Sequence, residues 1–276
     1  MKITQQHFSN WYYPSEAMKM SLKERSEQAD GVLFDFDIPI AHLFSVKPAY
    51  DLATSLKEKL VIKNLLLEKY MMENDPHAIF RGYAALSQRL DEGGYRWLHH
   101  KIQQMVEEIE PKMSEWECLA AKRAFSTPFY ELLLEHYHDE GKKMAITTNN
   151  TPRSAEIFLE RDGTVKYFEG IFGRTGPDPR ELKPNKTILE RAIKKLQVDR
   201  KRCLMFGDSV SDYLAARKCR VPFIGITYTF DKAAALYKAG ADLVISGYDS
   251  LFFALEVEHP MYVSDNQENL KIIEHS

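Results

Sequence analysis

Asp35 and Asp37 lie two residues apart at the end of the apolar run Gly31-Val32-Leu33-Phe34. Extended backbone sends residues i and i+2 to the same side, so both carboxyl groups can face one ligand while Phe36 points into the opposite layer. A second acidic pair, Asp208 and Asp212, stands in Gly207-Asp208-Ser209-Val210-Ser211-Asp212, across the end of one apolar run and the start of a helix. Between the pairs come Thr148-Asn149-Asn150, after another apolar run, and Lys183-Pro184, ahead of a helix. Singly, each is an ordinary capping or solvated feature. Together they hold what phosphoryl transfer needs: a carboxylate nucleophile, a carboxyl acid/base, hydroxyl and cationic holders for phosphoryl oxygens, and metal ligands. Close carboxylates repel, and a divalent cation relieves this while bridging to an anionic substrate. Magnesium fits, because it prefers hard oxygen ligands in octahedral geometry and keeps several waters. Lys183 would offset the charge that spreads over the equatorial oxygens of the transition state. Thr147 takes the place of Thr148 if the strand phase shifts by one residue.

The surrounding elements must bring these stretches together. After Thr127-Pro128 the pattern alternates helix and strand, as a parallel sheet with crossover helices does. Strands are expected at 31–34, 144–147, 170–172, 203–206, 223–226 and 243–245. Helices are expected at 129–137, 152–160, 184–196, 212–218 and 250–255. In such a sheet ligands bind at the carboxyl ends of the strands, where all four stretches fall. Between Pro48 and Phe125 the period is helical: Leu52, Leu56, Leu60 and Leu67 share a face, as do Leu98, Ile102, Met105 and Ile109. Breaks are expected at Asn74-Asp75-Pro76, Gly93-Gly94 and Pro111. The fold class is therefore α/β, a doubly wound parallel sheet carrying an inserted all-helical segment. The core comprises 31–45 and 126–258, the insertion 46–125, a polar lead-in 1–30 and a tail 259–276.

With 276 residues, 44% of them apolar, the chain can bury a sizeable core. Its formal charge of −3 gives no reason to expect a nucleic-acid or anionic membrane partner. No run approaches the length of a membrane span and no apolar signal core precedes Asp30, which points to the cytoplasm. Cys118, Cys203 and Cys219 are widely spaced and read as reduced, buried thiols.

The ordered set Asp35-Phe36-Asp37, Thr148-Asn149, Lys183-Pro184 and Gly207-Asp208-Ser209-Val210-Ser211-Asp212 resembles the four signature motifs of the haloacid dehalogenase-like phosphohydrolase superfamily. The resemblance covers about Gly31 to Leu255. The helical insertion is similar to the cap of the phosphoglycolate phosphatase and β-phosphoglucomutase branch, where it closes over the site. The resemblance implies a Mg²⁺-dependent phosphatase acting on a small phosphorylated metabolite through an aspartyl-phosphate. It makes Asp35 the nucleophile and a metal ligand. Asp37 would be the acid and later the base, its main-chain carbonyl also touching the metal. Thr148 and Lys183 would hold the phosphoryl oxygens and Asn149 would line the pocket. Asp208 would complete the metal site, with Asp212 as ligand or supporting group.

Where the family commonly continues the second Asp with Gly-Thr, this chain has Ile38-Pro39. Pro39 supplies no amide and Ile38 resists positive φ, so the turn that positions Asp37 is expected to differ. Rival readings are a phosphomutase, a dehalogenase, a phosphonate hydrolase using Lys57, Lys59 or Lys63, a signalling receiver, and an inactive phospho-ligand binder. Asp37 argues against the dehalogenase, and the motif order against the receiver. His99-His100 and His136-x-His138 read as exposed, since such neighbours share no helix face. Arg200-Lys201-Arg202 reads as a solvated turn, and Arg81, Arg89 and Arg96 as solvent-facing charge or contacts for a second anionic group. Trp11-Tyr12-Tyr13 reads as core packing or a partner surface.

Overall fold

The computed structural model describes residues 11, 13–44, 77, 80 and 96–257. Six parallel strands form the main sheet: β1 (Gly31–Phe34), β4 (Lys143–Thr147), β5 (Phe168–Phe172), β6 (Cys203–Gly207), β7 (Phe223–Ile226) and β8 (Val244–Ile245), in the order β5-β4-β1-β6-β7-β8. β1, β6 and β7 are buried throughout, as continuous apolar runs in a sheet covered on both faces must be. The chain winds outwards from β1 in both directions, so the strand order reverses beside it. That is where a doubly wound sheet opens a crevice at its carboxyl edge. Phe34 is in register with Ile146 on one side and Phe206 on the other, which sets Asp35, Thr148 and Asp208 at similar height.

Most expected elements are present with shifted ends. Helices α1 (Glu16–Gln28), α2 (Arg96–Ala121), α3 (Tyr130–Asp139), α4 (Pro152–Asp162), α5 (Thr187–Leu196), α6 (Val210–Cys219), α7 (Phe230–Ala239) and α8 (Asp249–Leu255) cover the sheet. A two-stranded antiparallel ribbon pairs β2 (Ala41–His42) with β3 (Phe125–Ser126), Ala41 opposite Ser126 and His42 opposite Phe125. Among the described residues, no helix is long and apolar enough to cross a membrane.

Three expectations need correction. The lead-in before Gly31 contains a helix whose Met18, Leu22 and Ser26, four residues apart, form a buried face. Its many charges occupy the other faces and mask the stripe. Pro111 does not break its helix: α2 runs through it, with Pro111 exposed while Ile109, Met113 and Glu117 are buried on the inner face. Packing of that face offsets the lost hydrogen bond. Cys118 and His136 are only half-buried, His136 pairing with Glu140 at 3.4 Å, whereas Cys203 and Cys219 are buried and His100 and His138 exposed, as expected.

Ile38 does adopt the glycine-like conformation, at φ 80°. A β-branched residue there costs energy, so the surroundings must over-determine the turn. They do: Ile38 N donates to Ala41 O (2.8 Å), Thr127 Oγ1 donates to Ile38 O, and Tyr248 OH donates to Pro39 O (2.8 Å). Trp11 packs in the core and donates from Nε1 to Thr227 O (2.9 Å), while Tyr13 is exposed. Arg200–Arg202 form the expected exposed turn, Arg202 pairing with Asp30. The side chains of Arg81, Arg89, Arg96, Lys57, Lys59, Lys63 and His99, the breaks at 74–76 and 93–94, and the tail lie outside the described residues.

Candidate active site

The strand ends converge on a cleft of about 270 Å³ lined by Asp35, Asp37, Thr148, Asn149, Lys183, Asp208 and Asp212, all seven of the expected residues. Carboxylate oxygens of Asp35, Asp208 and Asp212 lie within 4.8 Å of one another, and all three residues are buried. Lys183 is 1% exposed. Its ammonium reaches Asp35 Oδ1 at 2.7 Å, Asp212 Oδ1 at 2.5 Å and the Thr147 carbonyl at 2.8 Å. Burial opposes its charge, but the Asp212 and Asp35 carboxylates outweigh this and raise its pKa above the ordinary value.

Local structure explains each position. Asn149 grips the backbone of Lys183 from both sides, accepting from its N–H at 2.8 Å and donating to its carbonyl at 3.3 Å. Asn149 therefore fixes Lys183 as well as lining the cleft. Thr148, not Thr147, faces the cleft: the Thr147 hydroxyl turns to Phe34 O at 3.4 Å. Thr148 Oγ1 accepts from Asn150 N at 3.1 Å, which leaves its own proton available to an anionic oxygen. Asp212 sits in the first turn of α6 in a capping box with Ser209, whose N–H and hydroxyl donate to Asp212 Oδ2 at 3.0 and 2.6 Å. Gly207 is required there, because a Cβ would fall 2.5 Å from that of Asp212.

The cleft also holds Asn150, Ser209 and Ser211, which stood in the expected stretches without an assigned role, and Phe44, His77 and Lys232, which sequence reasoning missed. Lys232, in the first turn of α7, pairs with Asp208 Oδ2. Its only signal was that the loop after β7 must end at the same sheet edge as Asp35 and Asp208. Beside the cleft, which His77 lines, lies a second buried ionic cluster. Glu117 on α2 and Arg174, just past β5, are both buried and meet at 2.9 and 3.0 Å. Glu117 Oε2 also accepts from Thr151 N (2.7 Å), and its Oε1 contacts His77 Nε2 (3.1 Å). The loop carrying Thr148–Asn150 is thereby tied to α2.

Burial raises the carboxyl pKa values of Asp35, Asp37 and Asp208. Burial and then Asp208 push Asp37 up to about 7, against Lys232 and the amides of Leu43 and Phe44; Leu43 N donates to Asp37 Oδ1 at 2.8 Å. Burial, with Asp212 next, raises Asp35 well above the carboxylate range despite Lys183, and burial raises Asp208 despite Lys232. A carboxyl with a raised folded pKa binds its proton more tightly in the folded chain, so its stabilisation is complete at low pH and lost as pH rises through the folded value. The metal-free chain should therefore lose stability between about pH 4 and 7. Urea unfolding in chelator should give a lower midpoint at about pH 8 than at about pH 5, with a smaller difference in Asp37→Asn. An equal difference in that variant would contradict the assignment.

The sequence matches the profile of a family described as haloacid dehalogenase-like hydrolase over residues 29–220. The chain is 35% identical to a phosphoglycolate phosphatase of Vibrio parahaemolyticus over 130 residues, 47% of this chain and 55% of that protein. It is 28% identical to one of Salmonella paratyphi A over 150 residues, 54% and 57% respectively. The chain thus spans about half the length of the curated relatives it matches. Among solved structures it resembles one described as a predicted phosphatase from Clostridium acetobutylicum (TM-score 0.57, 20% identity, 83% of this chain and 98% of that one). A haloacid dehalogenase-like family protein of Streptococcus pneumoniae has the same fold (TM-score 0.56, 17% identity, 82% and 98%). With a parallel sheet whose strand ends gather these acids and Lys183, and a profile match over most of its length, the chain belongs to the haloacid dehalogenase-like hydrolase family.

Proposed function

We propose that the chain is a Mg²⁺-dependent phosphatase that hydrolyses a small phosphate monoester through phosphorylated Asp35. The observation that carries this reading is the buried triad of Asp35, Asp208 and Asp212, oxygens within 4.8 Å, with the Lys183 ammonium between Asp35 and Asp212. Hard carboxylate donors at that spacing fit Mg²⁺, which Asp35, Asp208 and Asp212 would hold, with the Asp37 main-chain carbonyl as a further candidate ligand. When bound, the ion supplies charge neutralisation to the phosphoryl oxygens.

The Asp35 carboxylate attacks phosphorus as the ester P–O bond breaks, and the Asp37 carboxyl gives its proton to the departing alkoxide. Asp37, now ionised, takes a proton from water as the water oxygen bonds to phosphorus. The Asp35–phosphorus bond then breaks and phosphate leaves. A pKa near 7 suits both halves of this exchange. Thr148 and Lys183 hold the transferring oxygens. The cleft volume favours a small ester, and the matched phosphoglycolate phosphatases make phosphoglycolate the first substrate to try. Residues 46–125 would form the cap that selects it, and residues 1–30 and 259–276 would flank the core. Three free cysteines suit the reducing cytoplasm. The glycine-like turn at Ile38 favours turnover over an inactive binder.

The test is phosphate release from p-nitrophenyl phosphate and a panel of small phosphate monoesters, with Mg²⁺ and with chelator. Release in Mg²⁺ alone is expected. Equal rates in both conditions would end the metal assignment, and a phosphorylated isomer without free phosphate would indicate a mutase.

A further inference from the structure

The cleft sets two ammonium groups against its buried acids, and they are held differently. Lys183, 1% exposed, is fixed by Asp35, Asp212 and the Thr147 carbonyl. Lys232 reaches in from the rim with a side chain 46% exposed, and pairs with Asp208 Oδ2. Asp208 is itself only 4% exposed and belongs to the acid triad. One carboxylate thus faces both an internal ammonium and the place a divalent ion would take.

We infer that Lys232 is an internal counter-cation that competes with the divalent ion for Asp208. It neutralises the carboxylate in the metal-free chain and withdraws towards solvent when the ion binds. This rests on reading the triad as a Mg²⁺ site. A buried carboxylate without a partner is costly, so the metal-free cleft needs a positive group at Asp208. A fixed positive charge beside a cation site also weakens the site by direct repulsion and by occupying a ligand. A long, half-exposed lysine stem can leave cheaply, because its ammonium exchanges the carboxylate for water. Lys183 has no such exit, so the two lysines divide the work: one stays to meet the phosphoryl oxygens, and the other yields to the metal. The intrinsic affinity of the acids for Mg²⁺ is then tuned downwards by a residue that need not touch the substrate.

Calorimetric titration of Mg²⁺ into the intact chain, without substrate and at fixed ionic strength, tests this. Lys232→Met removes the competitor and should tighten the Mg²⁺ dissociation constant by roughly tenfold. Lys232→Gln leaves Asp208 an amide donor, which protects the fold if methionine does not, and should tighten binding in the same direction. Lys232→Arg keeps the charge and should stay within about twofold of the unmodified chain. Mg²⁺ affinity unchanged or weaker in the Gln and Met variants overturns the competition while leaving the metal site standing. Failure of the unmodified chain to bind Mg²⁺ at all overturns the metal reading, and this inference with it.

Discussion

Asp35→Asn should leave a folded chain that releases phosphate at least about 10⁴-fold more slowly, the scale of loss when an enzyme's nucleophile is removed. The fold should survive because asparagine is nearly isosteric and relieves a crowded set of acids. Lys183 keeps Asp212 and the Thr147 carbonyl when it loses Asp35. Burial and the Asp212 charge already disfavour the ionised form of Asp35 in the metal-free chain, so a neutral amide there is tolerable. Rapid-quench mass spectrometry should find a phosphoryl group on the Asp35 peptide of the unmodified chain and none on the variant. A variant retaining a tenth or more of the original turnover would remove Asp35 from the nucleophile's role.

The second large effect concerns the buried pair beside the cleft. Arg174 and Glu117 have fully buried side chains, and Arg174 also reaches Glu110 at 3.2 Å and Ser114 at 3.3 Å. Replacing Glu117 leaves the buried Arg174 only the more peripheral Glu110 and Ser114 as partners, and replacing Arg174 leaves the Glu117 carboxylate buried without its guanidinium. Glu117→Ala should therefore cost about 3–5 kcal/mol of stability, lowering the melting temperature by about 10 °C. The double change Glu117→Met, Arg174→Met should cost less than the sum of the two singles, since it removes both charges together. Additive losses would mean that the pair is not coupled. Because Glu117 also accepts from Thr151 N, the single variants should additionally weaken the hold on the loop bearing Thr148.

Much of the site is legible from sequence because short, wholly buried strands leave little choice of register. A run such as Gly31–Phe34 or Cys203–Gly207 must end where its first acid appears, and the parallel order then brings those ends to one edge. Lys232 escaped notice because it stands a helical turn beyond its strand end, where lysine is ordinary surface composition. Glu117 and Arg174 could not be paired from sequence at all: 57 residues separate them, and each looks like one more charge on a polar stretch. The helix Glu16–Gln28 was hidden by its charges, and Pro111 exerted less influence than the face it belongs to. Ile38 shows the same priority. Contacts from Thr127, Ala41 and Tyr248 impose a conformation that its side chain disfavours.

The ribbon of Ala41–His42 with Phe125–Ser126 brings the two ends of the chain between them side by side. Facing residues in such a pair lie about 5 Å apart, whatever the chain does between them. Closing a longer excursion costs only logarithmically more entropy. The main sheet is therefore indifferent to the length of chain that joins His42 to Phe125, so the proposed cap can be resized or exchanged while the strand ends that line the cleft keep their places.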